Sequence, residues 1–172
     1  MIIWLNGSFG SGKTSVSKDL YDRLDKAVIF DPEETGIFIR RCVPEADKLS
    51  DFQDHPLWSK LNFDILHHMS RQSHKYIIVP MTIVDADKYN NLIIALKNHQ
   101  VNVKVIELNA SKATLHSRLK ERGDQVGAWS YDQIDRCLEG LKGLDHDYTF
   151  NTEVMSVESI SKSIIEHISK TD

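Results

Sequence analysis

The sequence predicts an α/β fold with a five-stranded parallel sheet covered by helices on both faces, three layers in all. Three observations carry that expectation. Short β-rich runs alternate with stretches of helical period along the chain. A glycine-rich octapeptide ends the first of those runs and opens the first helix. Over 172 residues there is no internal repeat, low-complexity stretch or linker, which predicts one domain spanning 1–172. Strands that alternate with helices need crossover connections, and these make the sheet parallel and cover both faces. Ligands of such sheets sit at the carboxyl ends of the strands, so motifs there carry extra weight.

The elements follow in order. The expected strands are Ile2–Leu5, Ala27–Phe30, Tyr76–Val79, Val101–Leu108 and Tyr148–Phe150. Val16, Leu20 and Leu24 line one face of a helix after the first strand. Leu57, Leu61, Ile65 and Met69 are expected to line another, and Leu92, Ile93 and Leu96 a third. Leu115 with Leu119, and then Ile134, Leu138 and Leu141, follow the fourth strand; Val157, Ile160, Ile164 and Ile168 close the chain. Ser130 with Gln133 three residues on reads as a capping box, and Ser156 as the cap of the last helix. Asp31-Pro32-Glu33-Glu34 is a strong helix start, with Asp as N-cap, Pro in the first turn and acids near the positive end of the dipole.

Composition excludes several classes of function. The apolar share of 41% and charged share of 27% are those of an ordinary globular protein. A net charge of −4 argues against nucleic acid as the main partner. Apolar runs such as Tyr76–Val79 fall far short of the ~20 residues a bilayer helix requires. Met-Ile-Ile-Trp-Leu at the start lacks a basic n-region and a cleavage site, so a cytoplasmic location is expected. Cys42 and Cys137 show no CxxC spacing and are expected to be buried thiols. His67, His68 and His74 match no zinc-ligand spacing.

The chemistry is concentrated in residues 7–14, Gly-Ser-Phe-Gly-Ser-Gly-Lys-Thr, which satisfy G-x-x-x-x-G-K-[ST] in full. Gly7, Ser8, Phe9, Gly10, Ser11, Gly12, Lys13, Thr14 and Ser15 are therefore the expected nucleotide-binding residues. The glycines let backbone N–H groups turn inward onto phosphate oxygens, and the helix N-terminus adds its partial positive charge. Lys13 is expected to reach the β- and γ-phosphates of ATP, and the Thr14 hydroxyl to ligate Mg²⁺. The motif follows an expected strand and precedes an amphipathic helix, the context it requires.

No Asn-Lys-x-Asp base-reading motif is present, and the D-x-x-G match at Asp124 to Gly127 follows a helix, which disfavours a signalling GTPase. Transporter and motor ATPases are larger. A compact kinase remains, passing the γ-phosphoryl group to a small acceptor under a lid of about 118–131. Arg118 and Arg122, four apart, share a helix face and are candidates to stack on the base and neutralise the transferring phosphoryl group. Asp31, at the end of the second strand, is the candidate to accept the acceptor hydroxyl's proton. The third strand ends in Val-Pro-Met-Thr with no acid, so magnesium is expected to rely on Thr14, water and Asp31 or Asp85. Arg40, Phe52, Gln53, Trp58 and Trp129 are candidate lining for an acceptor pocket, though each also reads as core or solvated surface.

These residues together resemble the tunicamycin-resistance protein family, grouped with chloramphenicol phosphotransferase-like and other small P-loop kinases. The likeness covers most of the chain. It begins with Met-Ile-Ile-Trp-Leu-Asn-Gly and Phe-Gly-Ser-Gly-Lys-Thr, and continues through Asp31-Pro32-Glu33, Arg40, Asp51-Phe52-Gln53 and Pro56-Leu57-Trp58. Ile78-Val79-Pro80-Met81-Thr82-Ile83-Val84, Ala110-Ser111-Lys112 with Thr114-Leu115, Gln133-Ile134-Asp135-Arg136-Cys137 and Glu139-Gly140-Leu141 complete it. The resemblance implies a P-loop NTPase fold of the nucleoside/shikimate-kinase type, ATP binding, and a link to resistance against nucleoside antibiotics. It leaves open whether resistance works by phosphorylating the drug or by binding it.

Overall fold

A computed structural model describes residues 1–72, 74–125 and 127–170. Strand β1 (Ile2–Asn6) is buried along its whole length, as a strand flanked by neighbours and covered on both faces must be. β2 (Ala27–Ile29), β3 (Tyr76–Pro80), β4 (Val103–Asn109) and β5 (Tyr148–Asn151) complete a sheet in the order β2-β3-β1-β4-β5. Every pairing is parallel, with Ile3 opposite Ile78 on one side and Lys104 on the other. The chain leaves β1 in the middle, builds the β3 and β2 side, then crosses to β4 and β5. The loop after β1 therefore lies at the switch point of the sheet, where the two crossover directions diverge and a crevice opens.

Alternation along the strands feeds two cores. Ile3, Leu5, Ile78, Ile106 and Leu108 pack against α1 (Lys13–Arg23) and α9 (Val157–Ser169) through Val16, Leu20, Ile160, Ile164 and Ile168. Ile2, Trp4, Ile77, Val79, Val103 and Val105 face the opposite layer. That layer comprises α2 (Pro32–Cys42), α3 (Pro56–Met69), α4 (Ala86–Tyr89) and α5 (Ala95–Asn98), the last two joined by a π-helical turn at Asn90–Ile94. A third cluster joins α6 (Lys112–Arg122) to α8 (Ile134–Leu141) through Leu115, Leu119 and Ile134, and takes in Phe9. The short α7 (Trp129–Asp132) lies between α6 and α8 in the chain.

Several expectations need correction. The inward face of α3 is centred on Trp58, Asn62 and Leu66; of the expected stripe, Leu61 and Met69 pack against the core while Leu57 and Ile65 are exposed. The Trp58 indole explains the rotation, since its N–H donates to the Pro32 carbonyl and ties α3 to the start of α2. The capping box at Ser130 does not form. Ala128 caps α7, so Ser130 lies in its first turn with its hydroxyl on Asp124, while the side-chain carboxamide oxygen of Gln133 accepts from Arg136. Cys42 is exposed, because α2 turns that position away from the sheet. β4 begins at Val103, two residues late, after Gln100 takes a left-handed φ of 62°. Asp31 and Ser156 do cap their helices through backbone N–H groups of Glu33 and Ser159.

Candidate active site

The site grows from Asn6, fully buried at the end of β1. Its carboxamide oxygen accepts from Gly7 N–H and Ile83 N–H, and its amide donates to the Ile83 carbonyl, so the chain after β3 is clamped to the start of the loop. A Cβ on Gly7 would stand 2.6 Å from the Leu108 carbonyl oxygen, which reserves that position for glycine. Gly12 caps α1 with φ 99°, a left-handed turn that aims the first helical N–H groups into the crevice. The Ser11 hydroxyl is buried and has no hydrogen-bond partner among the described residues. An unsatisfied buried hydroxyl inside a ring of amides is what a polyphosphate cradle leaves before its ligand arrives.

Lys13 opens α1, and its ammonium turns back on the loop, donating to the Gly7 and Ser8 carbonyls at 2.8 and 3.0 Å. Enclosure strips water from it and lowers its pKa from 10.5 to about 8, offset partly by the nearby Cys137 and Glu33. The loop lines a cavity of about 1070 Å³ together with Thr14, Ser15, Asp31, Glu33, Arg118 and Arg122. The sheet order divides this space. Asp31, Glu33, Pro80 and Thr82 come from the β2 and β3 side; Arg118, Thr152, Met155 and Val157 come from beyond β4 and β5.

The two arginines from the end of α6 differ in role. Arg118 donates to the Gly10 carbonyl and, with both terminal nitrogens, to the Thr152 hydroxyl and carbonyl, bridging the phosphate loop to the turn after β5. Arg122 is more exposed and pairs with Asp124, just past the left-handed cap Gly123. Of the 118–131 segment expected to form a lid, Val126 lies outside the described residues.

Not every expected residue reaches the cavity. Asp85 caps α4 by accepting from Lys88 N–H and does not line it. Arg40 is spent on the Leu49 and Ser50 carbonyls. Trp58 is fully buried and belongs to the core. Phe52 packs over Gly36 and beside Trp58. Gln53 donates to the Thr82 carbonyl. Trp129 meets the Phe9 ring edge-on at 5.3 Å, outside the cavity wall. Sequence reasoning missed four residues: Glu33, Thr82, Thr152 and Cys137. Glu33 lines the cavity, and its carboxyl is pushed above the usual range by loss of water and by Asp31, with Lys13 and Arg122 pulling it back. Thr82 had a signal, since it stands where an acid was sought and not found. Cys137 had none, because only packing brings α8 against Ser8 and Lys13.

For magnesium, the donors are oxygens, as a hard cation requires. The Thr14 hydroxyl and the Asp31 and Glu33 carboxylates line one cavity with the phosphate loop, so the residues present fit the ion. Among the described residues no helix is long and apolar enough to cross a membrane.

The sequence matches the AAA domain family over residues 2–143. No curated protein sequence matches it. Among solved structures, the tunicamycin resistance protein of Deinococcus radiodurans is similar at a TM-score of 0.81 and 29% identity, over 97% of this chain and 94% of that one. A deoxyadenosine kinase of M. mycoides, solved with its products, gives 0.61 and 20% over 99% and 100%. A shikimate kinase of Bacteroides thetaiotaomicron gives 0.66 and 18% over 98% of each chain. The fold is thus that of small-molecule P-loop kinases, and the expected likeness to the tunicamycin-resistance family holds.

Proposed function

Since the chain belongs to the AAA domain family, we propose that it is a cytoplasmic ATP-dependent phosphotransferase acting on a hydroxyl of a small molecule, with a nucleoside antibiotic as the favoured acceptor class. One observation carries this reading: the phosphate loop, Asp31 and the two lid arginines line a single cavity. ATP lies with its phosphates in residues 7–14 and its base toward Arg118, Thr152 and Met155. Lys13 moves from the loop carbonyls onto the β- and γ-phosphates. Asp31 orients the acceptor hydroxyl and takes its proton as the oxygen attacks. Its cap bond to Glu33 N–H uses one carboxylate oxygen and leaves the other for this task. Arg122 lines the cavity while paired with Asp124, and it exchanges that carboxylate for the transferring group, whose charge it neutralises. Magnesium would be held by Thr14 and the Glu33 carboxylate, and would supply charge neutralisation on the phosphate oxygens.

The test has two parts. Lys13→Ala should abolish ATP binding by calorimetry, and unchanged affinity refutes the nucleotide site. Asp31→Asn keeps the helix cap but should lower turnover by about two orders of magnitude or more, read as gain of one phosphoryl mass on the acceptor. A second reading, an ATP-dependent protein that sequesters the drug unmodified, is favoured by the end of β3, Pro80-Met81-Thr82, which bears no acid. Acceptors that stay unmodified beside tightly bound ATP would select it.

A further inference from the structure

Thr82 stands beside the start of the phosphate loop, two residues past the end of β3, buried and without charge. Its hydroxyl donates to the Gly7 carbonyl at 2.7 Å. That same carbonyl accepts the Lys13 ammonium at 2.8 Å, so one oxygen has two donors before nucleotide arrives. The Ser8 carbonyl is provided for in the same way, taking Lys13 and the Ser11 N–H at 3.1 Å. When Lys13 leaves for phosphate, it abandons two enclosed carbonyls. Each keeps one partner, Ser8 from the loop's own turn and Gly7 from Thr82 alone.

Resting on the reading of residues 7–14 as a polyphosphate cradle, we propose that Thr82 is a positioning residue that releases Lys13 to the nucleotide by holding the Gly7 carbonyl in its place. A buried carbonyl stripped of its last donor is costly, and that cost would be charged against nucleotide binding. The placement of Thr82 is itself secured. Gln53 donates its side-chain amide to the Thr82 carbonyl at 3.0 Å, Gln53 N–H donates to Asp51, and Arg136 of α8 holds the other Asp51 oxygen at 3.3 Å. This chain explains why Asp51-Phe52-Gln53, Pro80-Met81-Thr82 and the arginine of Gln133–Cys137 belong together although far apart in sequence: they meet behind the loop. At the position where an acid would hold magnesium through water, this protein uses a hydroxyl to hold the loop.

The experiment compares the parent protein with Thr82→Val and Thr82→Ser, measuring ATP affinity by calorimetry and Tm with and without ATP. Thr82→Val keeps the shape and loses the donor. It should weaken ATP about tenfold, while the unliganded Tm moves by no more than about 3 °C, because Lys13 still satisfies Gly7 in the empty protein. Thr82→Ser restores the donor and should bring affinity back to within about twofold of the parent. Equal affinity of the Val variant and the parent overturns the inference. So does a Val variant whose unliganded Tm falls in step with its affinity, or a Ser variant that fails to rescue. A parent that does not bind ATP at all would instead sink the nucleotide reading itself.

Discussion

Lys13 is held by two carbonyls in a pocket that removes its water, and the pull of desolvation lowers its pKa to about 8. In the folded protein the amine is charged below about 8, and phosphate oxygens brought against it favour the charged form. Nucleotide binding should therefore draw in little proton near pH 7 and approach about one proton between pH 8 and 9.5. Calorimetry in buffers of different ionisation heat reads that number, and uptake that does not grow with pH removes Lys13 as the phosphate ligand. The folded pKa lies below the unfolded 10.5, so the burden on stability is full below about 8 and is relieved as pH rises toward 10.5. Arg118 gives a second residue-level expectation. Its bonds join Gly10 to Thr152, the two flanks of the proposed base site. Arg118→Ala should raise KM for ATP roughly tenfold, because the charge-assisted bridge that holds those flanks together is lost, with a smaller change in kcat.

Elements are joined here by close approaches that tolerate no extra atom. A Cβ at Gly36 on α2 would lie 2.4 Å from the Phe52 ring, and one at Gly140 on α8 would lie 2.5 Å from the Val84 carbonyl oxygen. Both glycines thus set helix positions. Gly140→Ala and Gly36→Ala should each cost about 1–3 kcal/mol by overpacking, and thermal melts should rank Gly140→Ala the worse. A backbone carbonyl cannot swing aside, whereas a ring on the segment 51–54 can. The cap at Asp31 belongs to the same scale. Asp31→Ala should lose about 1 kcal/mol of stability while Asp31→Asn keeps most of it, which separates the helix role of this residue from its proposed chemistry.

Across the molecule, a ring contact joins the phosphate loop to α7, in the segment expected to close over it. Phe9 lies in the cluster of α6 and α8 and meets Trp129 edge-on, with the Lys13 ammonium 5.8 Å from its ring. Departure of Lys13 toward phosphate would take its charge away from the Phe9 ring, against which Trp129 packs. ATP should therefore alter tryptophan emission, and Trp129→Phe should remove most of the change, since Trp129 is half exposed and packs on Phe9, while Trp4 and Trp58 are fully buried. An ATP response that survives this substitution in full would show that the signal arises elsewhere.

The pattern of residues along the chain determined the sheet, its parallel sense, the phosphate loop and most helix stripes, because each rests on neighbours in sequence: alternation, a 3.6-residue period, glycines beside a lysine. Local chemistry was enough for the caps at Asp31 and Ser156, whose partners lie two or three residues away. It failed at α3, where the Trp58 bond to Pro32 rotates the helix, and at Ser130, where Asp124 takes the hydroxyl. Only the tertiary structure decided that Trp58 is core, that Trp129 serves Phe9, that Glu33 shares the cavity with Lys13, and that Thr82 holds Gly7. Those contacts join positions from 20 to 120 residues apart, and no periodicity records which distant side chain arrives at a given carbonyl.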